Sequence, residues 1–174
     1  MPNHLYDGLL GHHTGGPHTF LRLPDGTEWS YEAFASRAGR LATVLSAAGA
    51  TPGDRVAVQV EKSPDALALT FACIRAGLVV VPLNPAYTTA ELAYFLDDAE
   101  PAVLVGMPSR AEELGALTDP RGTRLHTLGT DGTGTLPDLA GSATEAAIAD
   151  RGPDETLAGI LYTSGTTGRS KGRC

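Results

Sequence analysis

Residues 55–83 read RVAVQVEKSPDALALTFACIRAGLVVVPL, a sequence that predicts a strand, a helix and a second strand in that order. A strand is expected at residues 55–61, which are rich in β-forming residues, and a second at 78–83, a continuous apolar run typical of a strand covered on both faces. Between them, serine followed by proline is typical of a first helical turn, so the helix is expected over residues 64–76. Two buried strands joined by a helix indicate a parallel sheet with helices packed against it.

The same alternation continues towards the C-terminus. Thr88 and Glu91 have the spacing of a capping box, in which each side chain satisfies an amide at the start of a helix. The fold class is therefore predicted as α/β, with a mostly parallel sheet flanked by helices and an N-terminal hairpin and helix. The further elements are expected as helices at 90–99 and 109–117 and strands at 101–106, 124–129 and 158–162.

Two stretches before the last strand are assigned from their composition. Residues 129–142, GTDGTGTLPDLAGS, are rich in Gly, Thr, Asp and Pro and are expected to form an exposed loop or linker. Residues 142–152, SATEAAIADRG, are expected to form a short helix after that loop.

The N-terminal part is predicted as a hairpin followed by a helix. Pro24-Asp25-Gly26 is a turn-forming triplet between two short strands. Ser30 can cap the next helix by accepting a hydrogen bond from an amide of its open first turn. Trp29 and Tyr31 are expected to pack in the core rather than to stack on a ligand.

Charged residues outside these motifs are assigned to the surface. Adjacent residues of a helix do not share a face, so neighbouring carboxylates are unsuited to paired acid–base chemistry. The residues placed at the surface on these grounds are Lys62, Arg75, Asp97-Asp98 and Glu112-Glu113.

Composition excludes several classes of function. A formal charge of −7, with scattered basic residues, argues against a nucleic-acid partner. No stretch approaches the roughly 20 apolar residues of a membrane span, and no signal peptide is evident, so a cytoplasmic protein without a membrane partner is expected. Cys73 and Cys174 fit neither a disulfide framework nor a zinc cluster. No metal site is assigned to the N-terminal histidines His4, His12, His13 and His18.

The chemically richest segment is YTSGTTGRSKG, residues 162–172. Its glycines allow successive amides to point into one concavity, its hydroxyls can donate to phosphate oxygens, and its lysine supplies positive charge. Two residues separate Gly165 from Gly168 and Lys171 lies three further on, so this is not the common phosphate loop of nucleotide hydrolases. Composition alone favours an anion cradle and a surface loop without a ligand about equally.

The whole string resembles the phosphate-binding motif of the acyl-adenylate-forming (AMP-binding) superfamily, which includes acyl-CoA synthetases, peptide-synthetase adenylation domains and luciferases. Residues 27–58 and 73–105 resemble earlier segments of the same family in order and spacing. A narrower resemblance, to malonyl-CoA synthetases, lies in VEKSPDALAL at residues 60–69 and TTGRSKG at residues 166–172. Arg169-Ser170 stands where many members have other residues followed by proline.

The resemblance implies a ligase that acts in two steps on a small carboxylic acid, ATP and coenzyme A, with Mg2+ on the phosphates. The acid is expected to form an acyl-adenylate, and the thiol of coenzyme A then displaces AMP. Malonate is the acid that the narrower resemblance implies. The residues implied to hold the β- and γ-phosphates are Thr163, Ser164, Gly165, Thr166, Thr167, Gly168 and Lys171.

The resemblance also implies that residues 1–174 form the N-terminal portion of the family's large domain. The acyl pocket, the adenine and ribose contacts and the catalytic lysine of the C-terminal domain are expected in chain that follows, so no catalytic residue is assigned here. By itself the chain is expected to be inactive. The alternative is a non-catalytic module that binds phosphate or acts as an interaction partner.

Overall fold

The computed structural model describes residues 3–11, 13, 18–147, 149, 157–163 and 171–173. Its helices and strands alternate along most of the chain, as the predicted α/β class requires. In chain order they are α1 (His4–Tyr6), β1 (Thr19–Arg22), β2 (Glu28–Ser30), α2 (Tyr31–Ala47), β3 (Arg55–Gln59), α3 (Pro64–Arg75), β4 (Val79–Pro82), α4 (Thr89–Ala99), β5 (Val103–Gly106), α5 (Ala111–Thr118), β6 (Arg124–Thr127), α6 (Thr135–Ser142), β7 (Leu161–Thr163) and β8 (Lys171–Arg173).

The central sheet has four strands in the order β4-β3-β5-β6, and every pair in it is parallel. This confirms the predicted fold class. One face carries α2, α3 and α6, whose apolar residues form a core with the strands around Phe34, Leu41 and Leu69. The other face carries α4 and α5, which pack around Phe95, Leu96 and Leu104. Covering on both faces explains why β4 and β5 are continuous apolar runs.

The caps predicted from the sequence are present. The hydroxyls of Ser30 and Ser63 accept hydrogen bonds from the amides of Ala33 and Ala66, each over 3.1 Å. Thr88 and Glu91 form the reciprocal capping box at the start of α4. These bonds satisfy amides that have no partner inside the helix, and they fix where three of the helices begin.

The N-terminal hairpin is confirmed, with β1 and β2 paired antiparallel around the turn at Pro24-Asp25-Gly26. Trp29 and Tyr31 pack against the first core, as predicted. Phe20 and Phe34 lie beside them, and the centroids of these two rings are 4.4 Å apart. The hairpin therefore closes one end of the helical layer.

The prediction for residues 129–142 is wrong over its second half, because Thr135–Ser142 form α6. The proline in this helix lies in the first turn, where its missing amide costs no hydrogen bond. Leu136 and Ala140 are fully buried against α2, and this burial outweighs the poor helix propensity of the stretch. The helix predicted at 142–152 does not form over the described residues 143–147.

The surface assignment of Arg75 is also wrong. Its side chain is only 11% exposed, and its guanidinium donates to the Ala146 carbonyl and to the Tyr6 hydroxyl, over 2.6 and 3.0 Å. Arg75 thus ties the N-terminal helix and the segment after α6 to the end of α3.

None of the described helices is long and apolar enough to cross a membrane.

His126 in β6 is one of the buried polar residues of the described part of the chain. Its Nδ1 lies 3.5 Å from the Thr135 hydroxyl, and its Nε2 has no hydrogen-bond partner within the described part of the chain. Burial, and then the positive charge of Arg124, lower the pKa of His126 below its usual value. The neutral imidazole is therefore the form that the fold accommodates.

We expect the free energy of unfolding to fall as the pH is lowered from about 7 to 5, because the unfolded chain takes up a proton at His126 near pH 6.5 that the folded chain resists. His126→Leu should flatten this dependence, whereas His18→Gln, at an exposed histidine, should leave it unchanged. Urea unfolding of the three proteins at several pH values measures the effect. Parallel pH profiles for the chain and its His126→Leu variant would contradict the prediction.

Candidate functional site

The strand that leads to the motif of residues 162–172 is attached to the free edge of the central sheet. The Ile160 amide donates to the Val80 carbonyl over 2.9 Å, and the Val80 amide donates to the Ala158 carbonyl over 3.1 Å. The two segments run parallel through the bridge between Val80 and Gly159. The strand predicted at residues 158–162 is therefore realised as this bridge followed by β7.

Gly159 leaves little room for a side chain at this bridge. A Cβ atom built on it would lie 3.0 Å from the Val80 carbonyl oxygen and 3.2 Å from a methyl carbon of the same residue. Contacts this short oblige the two backbones to separate. The absent side chain thus permits the close approach through which the sheet edge holds the segment.

The two ends of the motif lie in the two strands of a hairpin. β7 and β8 are antiparallel, and their register pairs Thr163 with Lys171 and Tyr162 with Gly172. The first and last residues predicted to hold phosphate are thereby placed opposite each other at the stem of the loop. The other predicted phosphate-binding residues, Ser164, Gly165, Thr166, Thr167 and Gly168, lie outside the described residues.

Tyr162 fixes β7 to helix α4. Its ring lies against Phe95 at a centroid distance of 4.6 Å and an interplanar angle of 59°. Its hydroxyl donates a hydrogen bond of 2.6 Å to the Asp98 carboxylate. Neighbouring Thr163, by contrast, is exposed. Alternation along the strand therefore turns Tyr162 towards the helix and leaves the next residue accessible.

The electrostatics of this contact favour a neutral phenol. Burial, and then the hydrogen bond to Asp98 and the negative charge of that carboxylate, raise the pKa of Tyr162 above its usual value. Tyr162 therefore stays protonated and remains a hydrogen-bond donor at neutral pH.

Sequence reasoning missed this contact. It placed Asp98 at the surface, and the residue is exposed, but the carboxylate accepts a hydrogen bond from Tyr162 across 64 positions of the chain. No local pattern marks a contact of that separation. The neighbouring Asp97 pairs with Arg121 over 2.7 Å, so the two adjacent carboxylates have separate partners.

A polar network closes the carboxyl ends of β3 and β5 close to α4. Gln59 is fully buried, and its amide nitrogen donates to the carbonyls of Asn84 and Tyr87. The Arg110 guanidinium donates to the Gln59 side-chain oxygen over 2.9 Å and to the Glu113 carboxylate. All the buried groups of this network have partners, which indicates a structural role for the loop after β4.

No three His, Cys, Asp or Glu side chains of the described ranges form a group that could hold a metal ion. Thr163 offers an exposed hydroxyl at the entrance to the motif, and oxygen ligands of this kind suit magnesium. The exposed hydroxyl of Thr163 is thus compatible with a magnesium ion carried by phosphate groups.

Comparison with protein families gives one match over nearly the whole chain. The profile described as "AMP-binding enzyme" matches residues 13–173. The match includes the central sheet, its helices and the β7–β8 hairpin.

Individual relatives agree with this match. The chain is 36% identical over 162 residues to a feruloyl-CoA synthase of Amycolatopsis, covering 90% of this chain and 30% of the relative. It is 34% identical over 146 residues to the long-chain-fatty-acid–CoA ligase FadD13 of Mycobacterium tuberculosis, covering 82% of this chain and 28% of the relative.

Among solved structures, ATP-bound MatB from Rhodopseudomonas palustris is similar, with a TM-score of 0.93 and 45% identity. The match covers 99% of this chain and 34% of that chain. The chain thus spans about a third of the length of each of these three proteins.

We expect Gly159→Ala to loosen the attachment of the motif to the sheet, because the added methyl group displaces Val80 and lengthens the hydrogen bond from Ile160. The exchange rate of the Ile160 amide, measured by NMR, should rise at least several-fold. Gly115→Ala is the matched control, since a Cβ at Gly115 in α5 meets nothing within 4 Å. Equal Ile160 exchange rates in both variants would show that the close approach does not hold the segment.

Proposed function

The chain belongs to the AMP-binding enzyme family, whose profile matches residues 13–173, and from this premise we propose that it is the N-terminal portion of an ATP-dependent acid–thiol ligase. Such a ligase joins a small carboxylic acid to coenzyme A and converts ATP to AMP and pyrophosphate. The relatives at 34–36% identity, a feruloyl-CoA synthase and a fatty-acid–CoA ligase, support this reaction class.

The proposed reaction has two steps. In the first, a carboxylate oxygen attacks the α-phosphorus of ATP, the bond to the bridging oxygen breaks, and pyrophosphate departs with the electron pair. In the second, the thiol sulfur attacks the acyl carbon, AMP leaves, and the thiol proton is released. Negative charge develops on the departing pyrophosphate in the first step, so donors arranged around it stabilise that transition state.

This chain would act on the departing pyrophosphate. The amides and hydroxyls of residues 163–168 would bind the β- and γ-phosphate oxygens, and the ammonium group of Lys171 would offset their charge. Magnesium, when bound, supplies further positive charge to the same oxygens. The observation that carries the proposal is the hairpin register, which pairs Thr163 with Lys171 on either side of the predicted loop.

For the acid, the proposal is malonate. The sequence resembles malonyl-CoA synthetases at residues 60–69 and 166–172. Identity to MatB is 45% over 99% of the chain, against 36% over 90% of it to the feruloyl-CoA synthase. Neither stretch lies where the acid would be bound, so the choice of acid is tested directly.

We expect the 174-residue chain alone to catalyse no malonate-dependent exchange of pyrophosphate into ATP, because the family's acyl pocket lies in sequence that the chain does not span. The protein encoded by the whole reading frame should catalyse this exchange, faster with malonate than with ferulate or a long-chain fatty acid. Exchange by the chain alone would contradict the first expectation. A preference for another acid would overturn malonate and leave the ligase class intact, while a frame that ends at Cys174 would favour the non-catalytic module.

The role of Lys171 is tested by joining the chain at Gly172 to the remaining two-thirds of R. palustris MatB. Lys171→Ala in this fusion should lower the rate of acyl-adenylate formation by about 100-fold, because a charge that stabilises the leaving group is lost. Lys62→Ala removes the other lysine of the chain, which is exposed, and should leave the rate unchanged. An unchanged rate for Lys171→Ala would remove this residue from the proposed site.

A further inference from the structure

The side chain of Tyr162, at the start of the motif, makes two contacts of different kinds with α4. The ring of Tyr162 packs on Phe95, an apolar contact that permits sliding and rotation. The hydrogen bond from the Tyr162 hydroxyl to Asp98 is short and directional, at 2.6 Å. The second contact adds to the backbone hydrogen bonds at Val80 a directional link between Tyr162 and the last turn of α4.

The placement of Asp98 is not explained by the stability of α4. Asp98 lies in the last turn of the helix, where carbonyl groups give the helix end a partial negative charge and where a carboxylate is unfavourable. The last turn contains no basic residue that would compensate for it. Asp98 is also exposed, so it contributes little to either core. Its hydrogen bond to Tyr162 is the interaction that accounts for a carboxylate at this position.

We propose that Asp98 is a positioning residue for the phosphate loop, which acts through the Tyr162 hydroxyl to fix β7 and with it Thr163. The inference rests on the proposed function, because it concerns how the segment that is proposed to bind phosphate is held in place. Asp98 itself touches no phosphate in this scheme. Its effect reaches the ligand through one side chain and one peptide bond.

The physical basis is a population effect. When the hydrogen bond is absent, β7 divides its time between the attached position and positions in which Thr163 no longer faces the pairing partner in β8. The apparent affinity for phosphate is proportional to the fraction of molecules in the competent arrangement, so it falls when that fraction falls. A hydrogen bond with a charged acceptor can shift that fraction by about fivefold to tenfold.

The test compares three variants of the 174-residue chain. Asp98→Ala removes the acceptor, and Asp98→Asn retains a carbonyl oxygen that can accept from Tyr162. Asp97→Ala is the matched control, because it removes the adjacent carboxylate, whose partner is Arg121 and whose side chain is 63% exposed. The probe is inorganic pyrophosphate with magnesium, titrated by calorimetry, and urea unfolding is measured in parallel.

We expect Asp98→Ala to raise the dissociation constant for pyrophosphate by about fivefold to tenfold. Asp98→Asn should restore most of the affinity, and Asp97→Ala should not weaken binding. Electrostatics alone predicts the opposite sign, since loss of a negative charge should tighten the binding of an anion. Loss of the hydrogen bond lowers the free energy of unfolding, while removal of a carboxylate from the helix C-terminus raises it, so the two effects oppose each other. Recovery of affinity in Asp98→Asn is therefore the readout that a merely structural role would not give.

Tyr162→Phe provides a second route to the same interaction. It keeps the ring on Phe95 and removes the hydroxyl, so it should weaken binding as much as Asp98→Ala does. The double variant should then be no weaker than either single one. Additive losses in the double variant would show that Asp98 acts by another path and would overturn the inference.

The two proposals fail in different ways. If the unmodified chain does not bind pyrophosphate, the proposed function of the loop is wrong, and the inference falls with it. If the chain binds pyrophosphate and Asp98→Ala binds equally well, the phosphate site stands and the positioning role is overturned.

Discussion

Val80 is where the sheet and the candidate site are joined, and both of its backbone groups are used to join them. In a parallel strand, alternate residues direct their amide and carbonyl groups to opposite neighbours. The amides of Val79 and Leu83 bond towards β3, at Asp54 and Val58, whereas Val80 bonds to the segment of residues 158–160. A strand with a neighbour on one side only would leave these two groups unpaired. Satisfying them brings the motif of residues 162–172 to this edge of the sheet.

Helix α4 serves both the fold and the site. Leu92 and Leu96 face the sheet and are almost completely buried in the second core. Phe95 and Asp98, from the same two turns, contact Tyr162 at the start of the motif. The capping box that fixes the first turn of α4 therefore also sets the position of the groups that hold β7. The capping box, a local feature of the sequence, thus affects the position of β7, which lies far from it along the chain.

Most of the fold could be predicted from the sequence, because its signals are local. The strands β4 and β5 are apolar runs, and helices α3 and α4 begin at recognisable caps, Ser63-Pro64 and Thr88 with Glu91. Helix α6 could not be predicted, since its stability comes from the burial of Leu136 and not from its propensity. At the site, the motif of residues 162–172 could be recognised from its sequence pattern. The contact of Tyr162 with Asp98 was not, because it depends on two segments that only the folded sheet brings together.

The position of the segment at residues 158–160 has a consequence for the growing polypeptide. The chain emerges from the ribosome N-terminus first, so β3, β4, β5 and β6 are all available to pair before this segment has been synthesised. During that interval Val80 presents an unpaired amide and carbonyl in the middle of an apolar strand. Unpaired strand edges of this kind recruit other chains. The segment of residues 158–160, synthesised after these four strands, covers the edge at Val80 and so ends its exposure during translation.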